Sequence, residues 1–158
     1  MVWCSGLVAR LWMHASAWLV GILTGAMLLI AVALVPFWRS LPPAEFRAWF
    51  AAHAFRIARL MVPLGAGSMV AALGALGAGR RTPDRGWLAL AAGGAVGIVV
   101  VTLVVNEPAN ERFAAATGLS DAETVVLLGR WSTWHWARVV LGGASFYAAV
   151  RGVAAAHP

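Results

Sequence analysis

The sequence predicts an all-α protein, a four-helix transmembrane bundle, from its composition and from the spacing of its charges. Of 158 residues, 61% are hydrophobic and only 11% are charged, and the mean hydropathy is +0.80. An average soluble domain has about 25% charged residues. The charges also leave uncharged stretches of about 20 residues, the length that a helix needs to cross a bilayer. We therefore expect a multi-pass integral membrane protein.

Three uncharged stretches predict the first three spans. The charges that bound them are Arg10 and Arg39, Arg59 and Arg80, and Arg85 and Glu107. We place the spans at about residues 12–36, 57–79 and 87–106. The first stretch is longer than the apolar part of a signal peptide, about 7–15 residues, so we interpret it as a retained helix.

The fourth span has to include charged residues. Only twelve residues separate Arg138 from Arg151, too few to cross a bilayer as a helix. Extending the helix backward to Trp131 gives a span at about residues 131–152 and places an ionisable pair, His135 and Arg138, below the membrane surface. The alternative is a short helix packed on the other three. We favour the span, which makes residues 1–158 one four-span domain.

The two connections opposite the termini predict amphipathic helical extensions on one face. LPPAEFRAWFAAHAFRIARL begins with prolines suited to a first turn and continues with apolar residues at helical spacing. In the second connection, Ser120 and Glu123 form a capping box, and Pro108 in NEPANER predicts a turn or helix stop. Each half is then one helical hairpin. Since both halves cross in the same direction, they predict a parallel repeat about the membrane normal.

Both halves contain the pattern Trp-x3-His-x2-Arg, as WFAAHAFR at residues 49–56 and WSTWHWAR at residues 131–138. Positions i, i+4 and i+7 share one face of a helix. The stripes are Trp49, His53 and Arg56 in one half and Trp131, His135 and Arg138 in the other. If the halves pack as a bundle, we expect the stripes to form two walls of one pocket.

More polar residues follow the third span, at the predicted mouth of this pocket. They are Asn106, Glu107, Asn110 and Arg112. An asparagine at the edge of a span is costly unless it is hydrogen-bonded, and Arg138 needs an anionic or carbonyl partner. We expect Glu107 to be that partner. The competing interpretation is that the tryptophans form an interfacial belt and that the arginines extend their charged ends to the membrane surface.

Three segments resemble a small four-helix membrane family that includes the fungal anthrone oxygenases. They are FRAWFAAHAFRIARLMVPL, TLVVNEPANERFA and LLGRWSTWHWARVVLG. The most specific parts are Asn-x-Pro-x-Asn at 106, 108 and 110 and Trp-x3-His-x2-Arg at 131, 135 and 138. The resemblance implies an integral membrane enzyme that inserts oxygen into anthrone-type polyketides without an evident flavin motif. It also implies a site made of Asn106, Asn110, Trp131, His135 and Arg138.

The function predicted from residues and resemblance is a monooxygenase acting on a hydrophobic aromatic or polyketide-like substrate. His135 would remove a proton, and Arg138 with Asn106 and Asn110 would hold the resulting anion. The remaining predicted site residues are His53, which would complete the opposite wall, and Trp131, Trp49, Arg56, Glu107 and Arg112, which would bind substrate. Cofactor-free chemistry is favoured.

Two other functions stay open at this point. One is a haem- or metal-dependent oxidase or isomerase with His53 or His135 as ligand, and with Glu107 as a further metal ligand. A weaker similarity to haem-dependent styrene oxide isomerases, in size and in a histidine at the base of the second span, belongs to this alternative. The other is a non-catalytic membrane binding or assembly protein in which the stripes are helix contacts.

The net charge of +6, from twelve arginines and six acids, does not indicate nucleic-acid binding, because no basic stripe is interleaved with exposed aromatics. The predicted partners are the lipid bilayer and a hydrophobic small molecule. Glycines in the spans allow close helix contact, including between copies in a homo-oligomer. The acids accompany the connections, so the positive-inside rule favours cytoplasmic termini. The single Cys4 excludes an intramolecular disulfide.

Overall fold

Four helical rods make up the described part of the chain, in a computed structural model that describes residues 2–79, 85–115 and 118–155. The first rod consists of α1 (Val2–Leu29), a π segment (Ile30–Leu34) and α2 (Val35–Ser40); the second is α3 (Pro43–Ala78). The third consists of α4 (Arg85–Val101), a second π segment (Thr102–Asn106) and α5 (Glu107–Ala114); the fourth is α6 (Asp121–Ala155). The predicted all-α class with four long helices is confirmed.

Three of the rods are long and apolar enough to cross a membrane: Gly6–Ser40, Pro43–Ala78 and Arg85–Ala114. The fourth rod, α6, is 35 residues long. It runs without a break through Trp131, His135 and Arg138, so the alternative of a short last helix is wrong. The arginines at 80 and 81, which contributed to the orientation argument, lie outside the described residues.

The rods pack as two neighbouring hairpins. α1 lies against α3 and α6, and α4 lies against α3 and α6. At the end with the termini, the contacts use small residues, including Ala72 on α3 with Ala92 and Ala95 on α4. Such contacts suit helices in lipid, where burial of apolar surface adds little and close van der Waals packing has to hold the bundle together. At the connection end, the core is instead a cluster rich in aromatic rings, among them Trp38, Phe46, Phe50, Phe113 and Trp131.

Both π segments occur just before a proline. Pro36 follows the first π segment by two residues, and Pro108 follows the second in the same way. A proline inside a helix has no N–H, and its ring clashes with the carbonyl four residues earlier. Those carbonyls belong to Val32 and Val104, which lie within the π segments, where the wider turn accommodates the ring.

The prediction of a turn or helix stop at Pro108 is therefore wrong. The helix continues through the π segment into α5 and ends at Ala114. The two prolines lie 72 residues apart, and so do the first residues of the two π segments, Ile30 and Thr102. This shared irregularity supports the predicted relation between the halves better than the repeated Trp-x3-His-x2-Arg pattern does.

The predicted capping box at the start of α6 is confirmed. The Ser120 hydroxyl donates to Glu123 Oε2 at 2.7 Å, the Ser120 amide donates to the same oxygen at 2.9 Å, and the Glu123 amide donates back to Ser120 Oγ at 3.3 Å. These bonds, led by that of the hydroxyl, hold the pKa of Glu123 below its ordinary value of 4.5. Since folding favours the ionised form, this contribution to stability is present at neutral pH and is lost as the pH falls through the lowered pKa.

Substitution of Gly94 tests the packing of α4 on α6. A Cβ at Gly94 would lie 2.7 Å from the Ser145 Cβ and 3.2 Å from the Leu141 carbonyl oxygen. We expect Gly94→Ala to lower the free energy of unfolding by about 1–3 kcal/mol through overpacking. Gly93→Ala is the matched control, because a Cβ there meets nothing within 4 Å. Unfolding of both variants in one detergent measures the difference, and equal stabilities would contradict this helix contact.

Candidate functional site

A cavity of about 500 Å³ lies between α3 and the rod made of α4, the second π segment and α5. The first rod supplies its apolar floor, including Leu23, Met27 and Ile30. α6 contributes two residues to the lining, Trp131 and Arg138. The cavity thus joins the α6 stripe of the Trp-x3-His-x2-Arg pattern to the polar end of the third rod.

Arg138 is the buried cation of this cavity, with 8% of its surface exposed. Its Nη1 donates to Thr102 Oγ1 at 2.9 Å and its Nη2 donates to His135 Nδ1 at 2.6 Å. Its Nε is buried and has no hydrogen-bond partner. Arg138 forms no ion pair within 4.0 Å among the described residues, where the acid–base pair at that distance is Arg47 with Asp121. A desolvated guanidinium held by neutral partners is suited to bind an anion.

His135 holds the guanidinium in place through a fixed tautomer. Arginine has no acceptor, so the Nδ1 of His135 must accept the bond from Arg138. Its Nε2 lies 2.8 Å from the Met27 carbonyl oxygen, which has no proton, so Nε2 carries the hydrogen and donates. Both ring nitrogens are therefore engaged, and the imidazole is 1% exposed. His135 presents no lone pair to the cavity, contrary to its predicted role as the base.

Trp131 connects this pair to the mouth of the cavity. Its ring stacks on His135 with centroids 4.8 Å apart and an interplanar angle of 12°, and the Arg138 guanidinium carbon lies 5.7 Å from its ring centre. The Trp131 indole donates to Asn110 Oδ1 at 2.8 Å. Asn110 in turn donates from Nδ2 to Glu107 Oε2 at 3.0 Å. A carboxylate at the mouth is thereby fixed relative to the buried cation.

Asn106 joins the second π segment to α6. It is fully buried, and its Nδ2 donates to the Trp131 carbonyl oxygen at 3.3 Å. Its Oδ1 is buried without a partner, a costly state unless a further donor is supplied. Asn106 does not line the cavity, so its predicted contact with the substrate anion is corrected: it binds the α6 backbone instead.

The α3 stripe does not form the second wall of the cavity, so that prediction is corrected. Arg56 is exposed, with its guanidinium carbon 5.6 Å from the Phe55 ring centre. Trp49 packs against Trp38 at 5.8 Å between ring centroids, and His53 packs against Trp49 at 5.2 Å. None of the three predicted stripe residues lines the cavity.

The physical reason is helical register. The buried stripe of α3 runs through Phe46 and Phe50, and the cavity lining continues it with Ala54 and Ile57. His53 lies beside this stripe, one residue or about 100° from Ala54. It also lies ten residues after the start of α3, whereas His135 lies fourteen residues after the start of α6. The Trp-x3-His-x2-Arg pattern therefore lies about one turn farther from the start of α6 than from the start of α3.

Two other predicted contacts are corrected. Arg112 is exposed and does not line the cavity. Glu107 lines it, but its interaction with Arg138 is electrostatic at longer range rather than an ion pair within 4.0 Å. The actual partners of Arg138 include Thr102, which the sequence argument did not single out. The sequence does contain an indication of this role, because Thr102 is polar within an apolar span and lies one turn before Asn106, on the same face.

The predicted metal ligands His53, His135 and Glu107 are not brought together. Among the described residues, no three His, Cys, Asp or Glu side chains form a group that could hold a metal ion. Haem ligation by His135 does not fit either, because an axial ligand needs a free imidazole nitrogen and both nitrogens are bonded. His53 has an unpartnered buried Nδ1, but it does not line the cavity.

The family model of the anthrone oxygenases matches the chain over residues 46–148. The matched segment contains the described cavity lining from α3, α5 and α6. The chain belongs to the anthrone oxygenase family. No curated protein and no solved structure matches the chain. Anthrone oxygenase membership, with three helices that suit a membrane, indicates a membrane oxygenase type of function.

Proposed function

We propose that this protein is a four-helix transmembrane oxygenase that oxidises an apolar aromatic substrate with an acidic C–H group, without a cofactor. The observation that carries the proposal is Arg138: a buried guanidinium in an apolar cavity, held by neutral partners, with an unpartnered Nε. Such a group stabilises negative charge that develops on a substrate oxygen. Its low-dielectric surroundings strengthen that stabilisation.

The first step is removal of a proton from the CH₂ group that is conjugated with the substrate carbonyl, which in an anthrone lies across the central ring from it. Glu107 is the base in this proposal, because its carboxylate lines the cavity and is oriented by Asn110. Arg138 binds the enolate oxygen, and the Trp131 ring supports the aromatic system. His135 is a positioning residue, since it acts by aiming the guanidinium.

The second step is reaction of the carbanion with molecular oxygen. A carbon–oxygen bond forms and gives a peroxide anion, which takes the proton back from Glu107. The hydroperoxide then loses water to leave a ketone. A CH₂ group and O₂ thus become C=O and H₂O, with all electrons supplied by the substrate. No external reductant is needed, as the proposal of a cofactor-free oxygenase requires.

The membrane arrangement is part of the proposal. All four rods cross the bilayer, the third rod and α6 contribute the polar site residues, and the two long connections lie on one face. The cytoplasmic position of the termini stays a prediction from charge. Lipid and a hydrophobic small molecule are the proposed partners.

Isotope labelling tests this function. The purified protein in lipid nanodiscs, supplied with an anthrone and oxygen-18 gas, should give a quinone with one labelled oxygen and should consume one O₂ per product. Added chelator or omission of any reductant should not change the rate. The proposal would be contradicted if the new oxygen came from water, or if turnover required a reduced nicotinamide.

A further inference from the structure

The cavity is a slot that follows α3. Its lining on that helix runs from Phe50 to Met69, which corresponds to about 28 Å at 1.5 Å per residue. A volume of about 500 Å³ spread over this length describes a space that is long and narrow. A compact ring system would leave part of it unfilled.

The two ends of the slot differ in polarity. The connection end is lined by charged and amide side chains, including Glu107, Asn110 and Glu111. From Met61 to Met69, about 12 Å along α3, its lining on that helix is apolar. Met61 packs against the buried cluster of Leu23, Met27 and Ile98. This asymmetry matches a molecule with a polar head and an apolar chain.

The slot is open along its side. Val62 and Leu103 line it and are 68% and 64% exposed, and Ala66, one turn after Val62 on α3, also lines it and is exposed. These rim residues belong to two helices that are apolar enough to span a membrane, so the opening faces hydrocarbon. The space beside Gly65 is open, because a Cβ there would meet nothing within 4 Å.

We infer that the substrate is an amphiphile with an acidic aromatic head and an alkyl or prenyl chain. The head lies at Arg138 and Glu107, and the chain lies in the slot between Met61 and Met69, having entered sideways from the lipid. The position of the head rests on the proposed function; the chain is the new element. Because lipid is as apolar as the slot, the chain gains little transfer energy there. Shape therefore determines whether the slot accepts it.

Selectivity for chain length tests the inference. An anthrone and its octyl derivative are compared at equal mole fraction in nanodiscs, as kcat/KM per fraction in the lipid. Ala66→Trp fills the slot, so it should lower the value for the octyl compound about tenfold and leave the unsubstituted compound within about twofold. Val70→Trp, on an exposed position one turn along the same helix that does not line the cavity, should change neither.

The outcomes separate the chain from the head. If Ala66→Trp lowers kcat/KM for both compounds equally or for neither, the chain does not lie in the slot. The proposed function still holds in that case if turnover depends on Arg138. If the wild type oxidises neither compound, the proposed function fails, and the position of the chain is then tested by binding alone. For that purpose, an octyl anthrone with a diazirine at the chain end should label the peptide containing Met61 to Met69. Labelling only at residues such as Val70 and Val104, which are exposed and outside the slot, would overturn the inference.

Discussion

Arg138→Lys should lower kcat about a hundredfold to a thousandfold, the usual effect of removing a donor that stabilises an oxyanion. Lysine keeps the charge but lacks the planar fork that binds Thr102 and His135 together. Turnover at saturating substrate, measured in nanodiscs with unfolding curves for both proteins, gives the comparison.

The matched control for this substitution is Arg130→Lys. Arg130 lies on the same helix and is exposed, so its replacement should leave kcat within about twofold, as is usual for surface substitutions. If Arg138→Lys folds as stably as the wild type and retains at least a third of its kcat, Arg138 does not stabilise the reacting anion.

Glu107→Gln should lower kcat about a hundredfold to ten-thousandfold, the range expected for loss of a general base. Glutamine has nearly the same shape and can still accept the bond from Asn110 Nδ2, so the cavity should keep its form. Proton removal would then limit the rate, and a substrate deuterated at the reacting carbon should show a primary isotope effect.

Glu111→Gln controls for the loss of one negative charge in the same cavity. Glu111 also lines it and is exposed, but no hydrogen bond joins it to the Asn110–Trp131 network. Its replacement should leave the isotope effect at the wild-type value. Equal effects of both substitutions would show that Glu107 acts through charge alone. An unchanged rate in Glu107→Gln would show that another group removes the proton.

The fold could be predicted from the sequence because its determinants are local. Charges bound the apolar stretches, and Ser120 with Glu123 marks the start of α6 directly. The π segments could not be predicted in the same way, since Pro108 is also compatible with a turn. Only packing of the extended rod against its neighbours favours continuation into α5.

The site could be predicted only in part, because the sequence does not establish which face of each helix is turned towards the interior. In α6, the pattern Trp-x3-His-x2-Arg coincides with the buried stripe, so Trp131, His135 and Arg138 lie in or beside the cavity. In α3 the buried stripe is set by Phe46 and Phe50, and His53 lies beside it. Spacing within a helix establishes which residues share a face, but the partner helices determine which face is inside.

The role of His135 depended on contacts that spacing cannot provide. Its two nitrogens are engaged by the Met27 carbonyl on α1 and by Arg138. The first partner is a backbone group 108 residues away in sequence. Irregular helix geometry lies close to this network, because Met27 lies three residues before the first π segment and Thr102, which binds Arg138, begins the second. π turns occur frequently at functional sites.

The most direct measurement is the absorption spectrum of an anthrone mixed with the protein without oxygen, at a pH where the free compound is neutral. If Arg138 binds the enolate, the long-wavelength band of the ionised substrate should appear in proportion to the protein and should be lost in Arg138→Lys. A spectrum of the neutral compound, or an equal band in the lysine variant, would contradict the account.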